Sequence, residues 1–164
     1  MEDYVIGVIS SVLSTPEVIK PGEKAYLGES TILEKIDDPN IEFYAKANID
    51  YDKTGKESQN LEVRKIEGME GEYGDYQVVG EIINISNEKA DDIRICVALY
   101  DDNSELIAVL SPMLRCSGEV WEKITLYPDD KIAFEGDYPG IPNSIGKLAT
   151  KFIGKAYNCN WSWD

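Results

Sequence analysis

Ile93, Ile95, Val97 and Leu99 alternate with Arg94, Cys96, Ala98 and Tyr100. A period of two puts the four large aliphatics on one face of a β-strand, whereas a helix would scatter them around its axis. This stretch constrains the fold more than any other, because its neighbours read the same way. Residues 78–85 form a predicted strand before it, and residues 106–110 form another after it. The segments between them, 86–92 and 101–105, are polar and rich in Asp, Asn and Ser, which is turn chemistry. Strands joined by short polar turns point to an antiparallel sheet with a buried face. Nothing in the stretch is catalytic.

The rest of the chain continues the pattern. Residues 4–13 and 24–27 read as strands, with the turn Pro21-Gly22-Glu23 ahead of the second. In residues 41–51, Phe43, Ala45, Ala47, Ile49 and Tyr51 alternate with polar neighbours, as in a half-buried strand. Residues 52–60 are the most polar run and the best linker candidate. Residues 61–66 form a strand, and 67–75 a glycine-rich acidic loop. A loop around Pro112, a strand over 120–126, a turn at 128–130 and a short strand over 131–134 follow the central strands. A rigid loop at 139–143 leads into 144–152, either one helical turn or irregular chain. Residues 155–163 close as a strand with Tyr157, Cys159, Trp161 and Trp163 on one face.

Composition then excludes several classes of function. Of the 164 residues, 43% are hydrophobic, so a buried core is expected rather than global disorder. The net charge of −15, from 31 acids against 16 bases, repels phosphate backbones and anionic membrane surfaces. No nucleic-acid partner and no direct membrane insertion are expected. The charge permits cationic partners or divalent cations. The chain has no histidine, which removes the usual general base, the Ser–His and Cys–His nucleophile pairs and the commonest metal ligand. Cys96, Cys116 and Cys159 are too few and too far apart for a Cys-only zinc site. One pair could form a disulfide in an exported chain; three free, mostly buried thiols are the other reading. No stretch approaches the ~18–20 apolar residues of a membrane helix. Residues 4–13 follow Glu2-Asp3 rather than a basic segment, so they read as a strand and not a signal peptide. If the protein is exported, its signal or anchor is expected outside this chain.

An internal repeat emerges when segments are aligned. Residues 6–13 match 107–114, Pro21-Gly22-Glu23-Lys24 matches Pro128-Asp129-Asp130-Lys131, and Phe43, Lys46 and Ala47 match Phe152, Lys155 and Ala156. The order is the same both times. Residues 1–57 therefore read as the back half of a unit whose complete copy is 58–164. Gly80-x-Ile82-x-Asn84, the strand ending Val97-Ala98-Leu99-Tyr100-Asp101, and Leu106-Ile107 together resemble the FxLYD domain, with Val97 where the family name has Phe. Pro128-Asp129-Asp130 looks like that family's Pro-Gly-Glu turn, and Pro21-Gly22-Glu23 matches it more closely. The resemblance covers residues 78–134 and the N-terminal half-copy. It implies an immunoglobulin-like antiparallel β-sandwich of a prokaryotic extracytoplasmic protein, with no catalytic residues and no assigned ligand.

The residues themselves suit such a fold. Gly80 in a strand marks a close approach or bulge. Asn84 can bond the turn backbone where its strand ends. Asp101 opens a turn, and Tyr100 can lay its ring over the sheet edge with its hydroxyl in water. The expectation is thus an all-β, immunoglobulin-like sandwich, complete over 58–164 and preceded by a partial unit. The expected function is that of a non-catalytic spacer, adhesion or protein-interaction module with a protein or cell-surface ligand.

Three constellations compete with that reading. The Asp pairs at 37–38, 91–92, 101–102 and 129–130 read first as solvated turns; a calcium site would draw on Asp101, Asp102 and Asp129 if their loops met. Trp161 and Trp163 with Tyr157 could form a stacking platform for a glycan or partner, although sharing a face with Cys159 favours core. A glycoside hydrolase would need two carboxylates about 5–10 Å apart across a cleft, and nothing among the acids singles out such a pair. Gly68, Gly71 and Gly74 lack the Lys-Ser/Thr of a phosphate loop. No cofactor is expected, calcium apart.

Overall fold

A computed structural model describes residues 14–15, 22–27, 60–114, 124–138 and 140–158. Its strands are β1 (Ser14–Thr15), β2 (Tyr26–Leu27), β3 (Leu61–Glu70), β4 (Tyr76–Asn84), β5 (Ala90–Asp91), β6 (Ile93–Tyr100), β7 (Leu106–Leu110), β8 (Met113–Leu114), β9 (Thr125–Leu126), β10 (Lys131–Gly136) and β11 (Lys151–Asn158). One short helix, α1 (Asn143–Gly146), precedes β11. Every strand pairing is antiparallel.

The two main sheets have the orders β3-β4-β10-β8 and β11-β6-β7. They share one core. Val78 and Ile82 of β4 and Phe134 of β10 meet Ile93, Ile95, Val97 and Leu99 of β6 and Leu110 of β7. The alternation that organised the sequence is therefore realised: all four β6 aliphatics face inward, while Cys96 and Ala98 belong to a separate cluster on the outer face. At about 0.8 kcal/mol for each buried methylene, this interior supplies the main drive to fold. The short pair β5–β9 closes one end of the sandwich, and β1–β2 forms a small sheet of its own.

Two glycines let the layers close. A Cβ at Gly80 of β4 would overlap the Phe134 ring, so the glycine marks a close approach, as its place in the strand suggests. At Gly154 of β11 a Cβ would lie 2.5 Å from Val63 Cγ1, where β3 crosses over the second sheet.

β3 runs to Glu70, whereas the sequence suggests a loop from residue 67. Its register with β4 slips between Arg64 and Glu67, and Lys65 has φ 52°. A β-bulge absorbs extra residues there, which breaks the alternation by which a strand is read. Pairing then resumes, and only residues 71–75 turn. The loop around Pro112 contains the two-residue strand β8. The region 144–152 resolves into α1 and the start of β11. The strands expected over 4–13 and 41–51, most of the linker, most of the strand over 120–126, and Cys116 and Cys159 lie outside the described residues.

Candidate functional site

The side-chain clusters outside the shared core gather at the two ends of the sandwich and on the outer face of the three-stranded sheet. The first end gathers Asn84, the turn after it, the β5–β9 pair and the turn before β10. Asn84 is fully buried and polar. Its Nδ2 donates to Glu88 O at 2.8 Å and Leu126 O at 2.9 Å, and its Oδ1 accepts from Ser86 N at 3.0 Å and Ser86 Oγ at 2.7 Å. The side chain thus replaces the ladder that stops there, as its position at a strand end suggests.

The second end gathers the β3–β4 turn, the β6–β7 turn and the α1 connection. Asp101 Oδ1 accepts from Glu105 N at 2.8 Å, which fixes the β6–β7 turn. Tyr76 N donates to Ile141 O at 3.0 Å, docking the α1 connection on the β3–β4 hairpin. Lys147 Nζ lies 3.0 Å from Glu70 Oε2, and this ammonium holds the Glu70 carboxyl below its usual range.

These placements correct the calcium reading. Asp101 and Asp102 follow the last residue of β6, at the α1 end. Asp129 N donates to Asn84 O at 2.9 Å, at the opposite end. Eight residues of β6 at about 3.3 Å each separate the two ends. The three carboxylates cannot share an ion. Asp129 has φ 66°, a turn conformation that Asp tolerates, which explains its residue type. Among the described residues no group of three or more Asp, Glu, Cys or His could hold a metal.

Tyr157 of β11 lies opposite Arg94, while Phe152, Gly154 and Ala156 lie opposite Leu99, Val97 and Ile95. Directly opposed residues share a face. Tyr157 is therefore on the outer face with Cys96 and Ala98, not the inner one as a shared face with core cysteine implied. Trp161 and Trp163 lie outside the described residues.

That outer face has a cover. Tyr26 of β2 is 6% exposed and packs with Cys96, Ala98 and Val109, with Tyr100 and Ile153 beside them. The Tyr26 and Tyr100 hydroxyls are hydrogen-bonded at 3.2 Å, so the Tyr100 hydroxyl meets another phenol rather than water alone. Burial, then the bond to Tyr100, pushes Tyr26 up to about 12. Burial likewise pushes the Cys96 thiol up to about 12, leaving it inert as a nucleophile. Tyr26→Ala is expected to make Cys96 open to maleimide at pH 8, read by mass spectrometry of its peptide, while Tyr26→Phe leaves it protected. Equal, slow labelling of all three proteins would show that something other than Tyr26 seals the face.

At the α1 end Asp75 and Asp137 form a carboxyl pair. The hydrogen bond from Asp137 lowers Asp75; burial, then the bond to Asp75, raises Asp137. Gln77 Nε2 also donates to Asp75 Oδ2 at 3.1 Å. The raised Asp137 contributes stability that is full below 3.8, the ordinary value, and is lost as pH rises through its folded value. Asp75 contributes in the opposite sense, above 3.8 and lost as pH falls through its lowered value. Asp137→Asn keeps a donor for Asp75 without a proton to lose. The melting temperature of this variant should therefore fall less than that of the unsubstituted chain as pH rises above 3.8. Parallel curves would deny the shared proton.

No protein-family model matches the chain, and no curated protein matches it. A crystal structure of a DUF1425 family member from Shewanella sp. pv-4 aligns with 67% of this chain and 88% of that one, at 15% identity and a TM-score of 0.36, a likeness too loose to bear on function.

Proposed function

We propose that the chain is a non-catalytic, extracytoplasmic interaction or spacer module of immunoglobulin-like, FxLYD type. The observation behind this is where the large apolar side chains left in solvent sit. Among the described residues, Tyr73, Tyr138, Ile145 and Leu148 lie on the connections of one end, with Met69 and Leu106 on the strands beside them, and Ile85 and Tyr127 lie on the connections of the other, while Met113 of β8 is exposed on a sheet edge. The inner faces are closed into a core, and Tyr26 packs on the outer face of the three-stranded sheet. A surface arranged this way suits contact with other macromolecules through its ends.

Strand order supports the immunoglobulin-like part of the reading. The order β3-β4-β10-β8 corresponds to A-B-E-D of such sandwiches, and β6 beside β11 to C beside F. The antiparallel pairing of β1 with β2 can be set against the half-copy. Leu114 pairs with Phe134 across β8 and β10, and the repeat aligns these with Leu13 and Leu27; Leu27 pairs with Ser14, one residue from that expectation. The extracytoplasmic location rests on the FxLYD resemblance. Among the described residues no helix is long and apolar enough to cross a membrane.

The test is a photo-crosslinking residue at Tyr73 or at Tyr127, in cells producing the chain. A discrete protein adduct from at least one end is expected. Absence of adducts from both would overturn the interaction reading.

A further inference from the structure

We propose that the α1 end of the sandwich is the docking surface, and that its partner is a basic protein segment bearing large apolar side chains. This rests on the interaction-module reading and names the end and the partner chemistry. Three connections converge there: residues 71–75, residues 101–105 and residues 137–150. Of their described residues, Tyr73, Tyr138, Ile145 and Leu148 are exposed, Tyr73 to 89%, and Met69 near the end of β3 and Leu106 at the start of β7 are exposed beside them. The other end exposes only Ile85 and Tyr127 among the described residues.

The apolar side chains stand on a fixed frame. Gly71 N donates to Asp75 O at 2.9 Å, Asn143 N to Gly74 O at 3.3 Å, and Leu148 N to Ile145 O at 3.0 Å. The Glu70–Lys147 pair ties α1 to the end of β3. A surface already ordered loses little conformational entropy when it binds.

Charge decides the partner. Glu70 ends β3, Glu72 and Asp75 lie in the turn after it, Asp101, Asp102 and Glu105 lie in the β6–β7 turn, and Asp137 follows β10, so this end carries seven acids among its described residues. Among the described residues of this end the cations are Lys147 and Lys151. Lys147 is held by Glu70, and the Lys151 ammonium lies 5.8 Å from the centre of the Tyr100 ring. At the opposite end the charges are more evenly mixed: Lys89 pairs with Asp91 at 3.0 Å and Arg94 with Asp92 at 3.7 Å, and Lys131 opens β10. An end that combines exposed apolar side chains with an excess of acids complements lysine and arginine flanking Leu- or Phe-like side chains. A second copy of this chain, at −15, would meet repulsion, and so would an anionic lipid surface.

The experiment is calorimetric titration of the full chain with a synthetic peptide of alternating lysine and leucine, at low and moderate salt. One comparison protein carries Tyr73→Ser with Leu148→Ser; the other carries Ile85→Ser with Tyr127→Ser. All four positions are exposed, so both should fold, and an unchanged melting temperature checks this. The first pair is expected to weaken binding about tenfold or more, as loss of apolar anchors does; the second should leave it unchanged. Equal affinity for all three proteins would reduce the binding to diffuse charge attraction and overturn the proposal. Equal binding of a serine–leucine peptide would overturn its charge argument. Dimerisation of the unsubstituted chain, abolished by Tyr73→Ser with Leu148→Ser, would overturn it in favour of a second copy. In cells, adducts from Tyr127 without any from Tyr73 would overturn this surface and keep the module reading, whereas adducts from neither would remove both.

Discussion

Phe134→Ala is expected to cost about 3–5 kcal/mol of stability, lowering the melting temperature by roughly 10 °C or more. The ring is 1% exposed and belongs to the one core that both sheets share. Its strand is hydrogen-bonded on both sides, to β4 and to β8, so the backbone cannot collapse into the space left behind. Gly80 supplies a sharper form of the test. Gly80→Ala alone should destabilise, because its methyl would overlap the ring. In the Phe134→Ala background the clash with the ring is gone and only the Arg64 carbonyl, 3.0 Å from the methyl, remains close, so the same substitution should cost less than it does in the parent. The double-mutant cycle should therefore show a coupling of about 1 kcal/mol or more in favour of the double variant. Additive losses, measured by urea unfolding, would mean that Gly80 and Phe134 do not meet as described.

That Gly80 is a special position was legible without a structure, because a glycine within a strand marks a close approach or a bulge, but the neighbour it approaches was not. Phe134 lies far along the chain, and a pairing over that separation leaves no local trace. The four aliphatics of β6 were legible because alternation is a local signal that both sheets satisfy. The end of β3 was hidden because the bulge at Lys65 erases the period. The calcium set failed for a topological reason: similar Asp turns belong to opposite ends, and sequence type cannot say which end a turn occupies. The outer face was missed in a different way. Cys96 and Ala98 are small and apolar on a face the alternation assigns to solvent, and that combination hinted at a cover. Nothing local named Tyr26 as the cover. The exposed apolar side chains of the α1 end come from the end of β3 and the turn after it, the start of β7 and the α1 connection, which are separated in sequence, so their convergence also had to be seen in three dimensions.

Asn84→Ala is the second substitution with a large expected effect, about 3 kcal/mol, and it acts through polar groups rather than volume. Asn84 accepts and donates at once: two carbonyls take its amide hydrogens, and the Ser86 amide and hydroxyl bond its oxygen. Removing the side chain leaves the Leu126 carbonyl buried without this donor, at a cost of about 1–3 kcal/mol, and releases the turn at Ser86 as well. The damage should be regional. Hydrogen exchange should quicken in residues 85–91 and 125–130, which the side chain and its backbone tie together, and less in β6 and β11. Asn84→Asp separates the donor from the acceptor role. It keeps an acceptor for Ser86 but, once ionised, turns a buried charge toward two carbonyl oxygens. Burial raises the folded pKa of such a carboxyl above its unfolded value, so the variant should be most stable at acid pH and lose stability as pH rises through the folded value. A pH-independent melting temperature for Asn84→Asp, or uniform exchange across both sheets in Asn84→Ala, would mean that Asn84 is not the pin joining the β4 end to β9.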